Sequence, residues 1–258
     1  MVSAMWGGTW DVHRFDEIDS TNAYLLRQAR LGALEGMVAV AEHQSAGRGR
    51  LDRRWESPPG ASLLASVLFR PDLDPAELHL CTAAMALAAA EACRRVAGVG
   101  PVLKWPNDVL VREEKLAGVL AEAVFDGGPG FDGAAGPAVA VVVGLGLNID
   151  WPGPPGAGGT SLVELGAGPV DRAALLASLL EALSARRALL DSGAGRRQVV
   201  AELRNRCATL GRRVRVELAA EAVVGVATEI DDAGHLVVLT SAGPRTVSAG
   251  DVVHLRPG

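Results

Sequence analysis

The run from Ala138 to Leu147 is apolar without interruption, which fits a strand buried in the middle of a sheet rather than one lying half in solvent. It closes with Gly144, Gly146 and Asn148, so the strand ends where missing side chains let another group come against the backbone. The Gly-Leu-Gly step lacks the spacing of a dinucleotide fingerprint, and no phosphate-binding P-loop pattern occurs in the chain.

The segment KWPNDVLVREEKLAGVLAE, from Lys104 to Glu122, reads as a hairpin. Pro106 removes a backbone donor and fixes its own φ, Asn107 and Asp108 are turn formers, and Val109 to Val111 resumes a strand. Arg112, Glu113 and Glu114 make a second polar turn before Lys115 opens the run through Leu116, Val119 and Leu120. The chain has 25 Lys and Arg together, and Lys104 and Lys115 are its two lysines. A guanidinium fork does not replace a compact ammonium at a phosphate or acyl-phosphate oxygen. Two lysines kept within one hairpin therefore mark a candidate site for such an anion, with ordinary surface lysines as the alternative.

Trp10 to Ile18 alternates as a strand and runs into Asp19, Ser20, Thr21 and Asn22, after which Ala23, Leu25, Leu26 and Ala29 open a helix. Asp19 or Ser20 caps that helix, but one cap needs one side chain, and three neutral hydrogen-bonding residues in a row also suit a polar pocket. Met37 to Ala41 reads as a buried strand leading into EHQSAGRGRLDRRW, Glu42 to Trp55. Its glycines permit backbone conformations closed to other residues, and Arg48, Arg50, Arg53 and Arg54 repel one another unless an anion is present. The loop is expected to be mobile when empty, with Trp55 offering an aromatic face to a base or a cation.

Ser62 to Phe69 is another strand, Pro75 opens an alanine-rich helix to about Val96, and Gly127 to Gly136 is a glycine-rich loop to which no chemistry is assigned. A Pro- and Gly-rich loop from Trp151 to Gly159 precedes helices starting at Asp171 and covering Gln198 to Cys207. From Leu210 the pattern changes to short alternating strands, with Asp231 to Gly234 as a hairpin turn. This divides the chain into residues 1–208 and a small β unit, 209–258, which at that size is expected to dock on the larger part. Hydrophobic residues make up 49% against 21% charged, which excludes a largely disordered chain, and a formal net charge of −5 argues against bulk nucleic-acid binding. Cys81, Cys93 and Cys207 are an odd number without metal-ligand spacing and point to a reduced, cytoplasmic setting. The run from Ala83 to Ala90 is broken by Glu91 before membrane-spanning length, so no membrane partner is expected.

Taken in order, STNAYLL from Ser20, AEHQSAGRGR from Ala41, KWPNDV from Lys104, KLAGVLAE from Lys115, VVVGLGLNID from Val141 and VSAGDVVHLR near the end resemble biotin protein ligase. The resemblance spans nearly the whole chain. It implies an α+β fold, a mixed β-sheet flanked by helices of the class II synthetase-like kind (residues 1–208), with a small C-terminal SH3-like β-barrel (209–258). It implies ATP with Mg2+, and biotin as the substrate, activated as biotinyl-5'-AMP and passed to a lysine of the biotin carboxyl carrier domain of an acyl-CoA carboxylase. Matched position by position, biotin would be held by Ser20, Thr21, Asn22, Gln44, Gly47, Arg48, Lys115, Gly118, Gly144 and Gly146. Arg48 and Lys115 would be catalytic, and Arg50, Arg53, Trp55, Asn107, Lys115 and Asn148 would meet the nucleotide, with magnesium on the phosphates near Asn148 and no direct protein ligand assigned to it. Lys104 and Asp108 are left as supports of their turn. Ser20 comes too early for the N-terminal DNA-binding domain of many relatives, so DNA is not an expected partner; monomer and homodimer both stay open. A lipoate or octanoyl transferase would share the fold, and a catalytically dead biotin sensor would share the pocket. The KWPND and GRGR pair favours biotin over the first, and Arg48 with Lys115 favours an enzyme over the second.

Overall fold

The computed structural model describes residues 10–125, 138–218 and 220–255, so the glycine-rich loop expected over 127–136 lies outside the described residues. Strands β1 (Asp11–Ile18), β2 (Met37–Gln44), β3 (Ser62–Phe69), β4 (Val102–Lys104), β5 (Asp108–Val111), β6 (Glu114–Phe125) and β7 (Ala138–Asn148) form one sheet in the order β1-β2-β3-β7-β6-β5-β4. The β1–β2 pair is parallel and the others are antiparallel. β7 is the middle strand, as its unbroken apolar run demands.

Alternate residues of β7 serve opposite faces of the sheet. Val141, Val143, Leu145 and Leu147 join the main core with α2 (His79–Ala97), α3 (Arg172–Leu190) and α4 (Gly193–Arg206). Ala140 and Val142 face the other way, under Leu25, Leu26 and Ala29 of α1 (Thr21–Arg30). That helix covers only the far half of its face. The remaining half, around Gly118, Gly144 and Gly146, meets the side chains of Asn22 and Trp55 instead.

Register completes this second face. Gly146 pairs with Leu64 on one side and Gly118 on the other, and Gly118 with Asp108; further along, Gly144 pairs with Ser66 and Leu120. In-register neighbours project to the same side. Ser66, Asp108, Gly118 and Leu120 therefore surround the two glycines, and Glu122 follows Leu120 at the next same-face position.

Local chemistry sets the helix ends. Ser20 caps α1 from extended backbone, accepting the Ala23 N–H at 3.4 Å, and no acidic residue occupies the first turn. α2 passes the length and hydropathy test for a membrane span but is packed inside the protein, where burial pushes the Cys81 and Cys93 thiols up to about 12. α4 starts at Gly193 rather than Gln198, because Ser192 caps it and Gly195 packs on α3 where a Cβ would stand 2.1 Å from the Leu189 carbonyl oxygen.

The C-terminal strands β8 (Arg213–Glu217), β9 (Ala222–Ile230), β10 (Leu236–Thr240), β11 (Gly243–Val247) and β12 (Asp251–His254) form an antiparallel sheet in the order β11-β10-β9-β8-β12. Its pairings among the described residues are those of an open five-stranded sheet, with β11 and β12 at the edges, rather than of a closed barrel. The Asp231–Gly234 turn forms as expected, the Asp231 carboxylate accepting the N–H groups of Ala233 and His235. Val214, Val216, Ile230 and Leu236 enter the same core as α2, and Trp105 donates its backbone N–H to Thr209 Oγ1 and its Nε1–H to the Gly234 carbonyl, both at 3.1 Å. The small unit thus completes its core against the large one.

Candidate active site

The chain leaves β1 and enters α1 over the half of the sheet face that the helix does not cover, which brings Ser20, Thr21 and Asn22 beside the end of β2. Gln44 Oε1 accepts from the Thr21 N–H at 2.7 Å and from Thr21 Oγ1 at 2.9 Å. Ser66 Oγ lies 2.7 Å from Thr21 Oγ1 and 2.6 Å from Asn22 Oδ1, and its single proton serves one of the two. Asn22 Nδ2 donates to the Leu120 carbonyl at 3.2 Å and to Glu122 Oε2 at 2.8 Å. Gly144 makes room for that amide, since a Cβ there would stand 2.1 Å from Asn22 Oδ1. Apart from Glu122 at its margin, this end of the groove is neutral and rich in both donors and acceptors, which suits an uncharged group that hydrogen-bonds on both sides.

The cations gather at the other end. Lys115 Nζ is 2.6 Å from Asp108 Oδ1 and 5.6 Å from the Trp55 ring centroid, and Lys104 reaches the other Asp108 oxygen at 3.8 Å. Arg48 donates to Glu122 Oε2 at 2.9 Å, Arg50 to Asn107 Oδ1 at 2.8 Å and the Gly250 carbonyl at 3.1 Å, and Arg53 pairs with Asp251. Burial pulls Arg50 below the ordinary guanidinium value, with Asp251 and Asp108 opposing it. The loop that carries these arginines is a tight hairpin: the Gly49 N–H meets the Arg53 carbonyl at 2.7 Å, and Leu51 and Asp52 have φ of 54° and 57°, the left-handed pair of a type I′ turn. The expectation of mutually repelling arginines is corrected here, because Glu122 and Asp251, remote in sequence, supply the counter-charges.

Two cavities meet among these groups. A small one of about 120 Å³ is bounded by Thr21, Gln44, Ser66, Gly144 and Arg48. A wide one of about 890 Å³ is bounded by Lys104, Asn148, the 152–159 loop and residues 251–255. Trp55, Asp108 and Lys115 border both. Lys115 stands where the small pocket, neutral at its Thr21–Gln44 end and charged along its arginine loop, meets the wide chamber.

Residues 15–148 match the model of the biotin/lipoate A/B protein ligase family, and residues 209–255 match that of the biotin protein ligase C-terminal domain. A biotin–[acetyl-CoA-carboxylase] ligase of Mycobacterium tuberculosis is 41% identical over 92% of this chain and 86% of its own length. The chain belongs to the biotin protein ligase family. A relative with the same description from Paracoccus denitrificans is 34% identical, over 91% of this chain and 96% of its own. Among solved structures, the biotin protein ligase from Aquifex aeolicus in complex with biotin and ATP superposes with a TM-score of 0.78 at 25% identity, covering 96% of this chain and 99% of that one.

Most residues that the resemblance to biotin protein ligase singled out converge. Ser20, Thr21, Asn22, Gln44, Arg48, Lys115, Gly118, Gly144 and Gly146 border the small cavity, Arg50, Arg53, Trp55 and Asn107 join them there, and Asn148 lines the wide one. Gly47 lets the two arms of the loop close, since a Cβ would stand 2.3 Å from the Trp55 carbonyl oxygen. Three of these groups of residues make contacts within the protein itself. The groups lying against the glycines are the protein's own: Asn22 at Gly144, and at Gly146 the Trp55 indole, which a Cβ would approach to 2.3 Å and whose buried Nε1 has no partner among the described residues. Asn107 accepts from Arg50 and donates to the Val119 carbonyl at 3.0 Å, which ties the loop to β6. Asn148 donates to the carbonyls of Thr160, Pro152 and Lys115 at 2.9, 3.2 and 3.4 Å, which holds the 152–159 loop against β6.

Ser66, Glu122 and Asp251 are the functional neighbours that sequence reasoning missed. For Glu122 a signal was present, since it follows Gly118 and Leu120 at the two-residue period of one strand face. Ser66 is a polar residue within a run that is otherwise apolar from Leu63 to Phe69. Asp251 carries no local signal, because its partner Arg53 belongs to the other end of the chain.

Proposed function

We propose that this chain is an ATP-dependent biotin protein ligase that joins the biotin carboxylate to the α-phosphate of ATP, with release of pyrophosphate. The biotinyl group of biotinyl-5'-AMP then passes to a lysine amine on the biotin carboxyl carrier domain of an acyl-CoA carboxylase. The observation that carries this reading is the junction at Lys115, where a pocket that is neutral and rich in donors and acceptors at its Ser20–Gln44 end, and lined by arginines elsewhere, meets a chamber large enough for a nucleotide. The ureido head of biotin fits beside Ser20, Thr21 and Gln44, which directs its carboxylate toward Lys115 and Arg48. Those two cations offset the negative charge that gathers as carboxylate and α-phosphate meet. Trp55, Arg50 and Arg53 serve the nucleotide side. Asn148, whose amide nitrogen is bound to carbonyls, would lie near magnesium carried by the ATP phosphates, which would supply further positive charge there.

In this reading residues 1–208 hold the chemistry and residues 209–258 brace it, since the Gly250 carbonyl and Asp251 grip the arginine loop. The setting is cytoplasmic, and a net charge of −5 offers no general attraction for DNA. The relatives named for this activity support the assignment. Purified protein with MgATP should release pyrophosphate when biotin is added and should label a carrier domain; lipoate should do neither. Turnover with lipoate or octanoate and none with biotin would overturn the substrate.

A further inference from the structure

We propose that Glu122, the last residue of the KLAGVLAE motif and one to which the sequence reading gave no role, is a positioning residue of the adenylation step and acts through Arg48. The inference rests on the function proposed above. One carboxylate oxygen, Glu122 Oε2, accepts from Arg48 Nη2 at 2.9 Å and from Asn22 Nδ2 at 2.8 Å. A single group thereby sets both a cation and an amide that border the small cavity.

The cavities show from which side it acts. Arg48 borders the small cavity and also an adjoining one of about 650 Å³, which Glu122 borders too, whereas Glu122 is not among the groups that line the small one. Glu122 therefore holds Arg48 from the adjoining cavity. One N–H of the guanidinium is fixed on the carboxylate, and the remaining N–H groups are left for the reacting anion. The Arg48 side chain is 43% exposed and Glu122 25%, so little else packs the arginine into place. Its backbone lies in a hairpin arm held at Arg54, which fixes the Cα but not the end of a long side chain. Orientation of this kind matters, because a misplacement of about 1 Å at a reacting centre can cost on the order of 100-fold in rate.

Glu122→Gln separates positioning from packing, since the amide keeps the shape and an acceptor oxygen but loses the charge that strengthens the bond to Arg48. Single-turnover pyrophosphate release should slow about tenfold, the difference between a charge-assisted and a neutral hydrogen bond, while the biotin Kd from equilibrium titration stays within about threefold. In an Arg48→Ala background the same substitution should leave the rate within about twofold, because the group it acts through is gone. Glu122→Ala should lose biotin affinity as well as rate, because Asn22 is also released. Melting temperatures of all variants accompany the kinetics; if Glu122→Gln does not fold, Glu122→Asp, which keeps the charge but draws it back, should show the same rate loss and the same silence without Arg48. Equal slowing in the parent and the Arg48→Ala background, or a Glu122→Gln enzyme at the parent rate, would overturn the inference alone. A parent that makes no biotinyl-AMP would instead overturn the function on which it rests.

Discussion

The tip of the arginine loop carries its own strain, and relieving it should change how well the site keeps its intermediate. Leu51 and Asp52 occupy the two central positions of a type I′ turn at φ of 54° and 57°, a conformation that favours Asn followed by Gly. A leucine held there costs roughly 1–2 kcal/mol, and an aspartate less because its short polar side chain tolerates the left-handed region. Leu51 is 65% exposed, so replacing it sacrifices no core packing. Leu51→Asn with Asp52→Gly should remove most of that strain, offset by about 0.5–1 kcal/mol for the extra freedom glycine gives the open loop. The net gain of about 1 kcal/mol favours the closed hairpin by roughly fivefold. Enzyme loaded with biotinyl-AMP, separated from free ligand and followed over time, should release or hydrolyse it about fivefold more slowly than the parent, and trypsin should cut after Arg50 and Arg53 correspondingly more slowly. Faster leakage, or unchanged leakage with unchanged cleavage, would refute the idea that this turn limits closure.

Lys115→Arg should slow adenylate formation by about 100-fold with little change in adenylate retention, since a larger planar fork spreads its charge and cannot put a compact point charge where the ammonium lies, 2.6 Å from Asp108 Oδ1; single-turnover kinetics with a separate release measurement check both halves. Gly144→Ala should weaken biotin binding by roughly 1–3 kcal/mol, because its Cβ would meet Asn22 Oδ1 at 2.1 Å, whereas Gly100→Ala, with nothing within 4 Å, should leave calorimetric titration unchanged. Burial holds both His79 and His254 below the usual imidazole value of 6.5, and each sits at a contact between the two units, His79 Nε2 at 2.7 Å from the Ala233 carbonyl and His254 Nδ1 at 3.8 Å from the Glu113 carboxylate. A depressed folded-state value gives stability that is whole above 6.5 and declines as pH falls below it, so thermal melts at pH 5.5 should lie below those at pH 7.5, and a flat or rising profile over that interval would contradict it.

What was legible in the sequence was whatever is decided locally. The Ser20 cap, the Ser62–Phe69 strand, the Asp231–Gly234 turn and the central place of the 138–147 run each depend on residues within a few positions of one another. Convergence of the motifs on one groove came from the family resemblance, and the register of Asp108 on Gly118 and Gly118 on Gly146 gives the physical reason for it. What escaped was set by pairing across the sheet and between the units. Glu122 and Asp251 reach arginines on a loop far away in the chain, and no spacing rule connects them. The start of α4 escaped because glycines at 193 and 195 disfavour a helix interior, whereas the Ser192 cap and close packing on Leu189 override that preference. Asn107 and Asn148 were assigned by position in the family resemblance, and only coordinates show their amides tied to the protein's own backbone and to Arg50.

The carboxylates beside the site cations bear on what the groove refuses. A cluster of bare lysine and arginine would collect any small anion that drifted past, inorganic phosphate included. Here Asp108 sits on Lys115 and Asp251 on Arg53, each tethered by the fold at a local concentration that a free ion in bulk solution has to beat. A molecule already seated by a neutral head competes on equal terms, because its own charged end is then tethered too. Rejection of stray anions is thereby built into the order of filling, with the uncharged end of the groove acting as the password for the charged one.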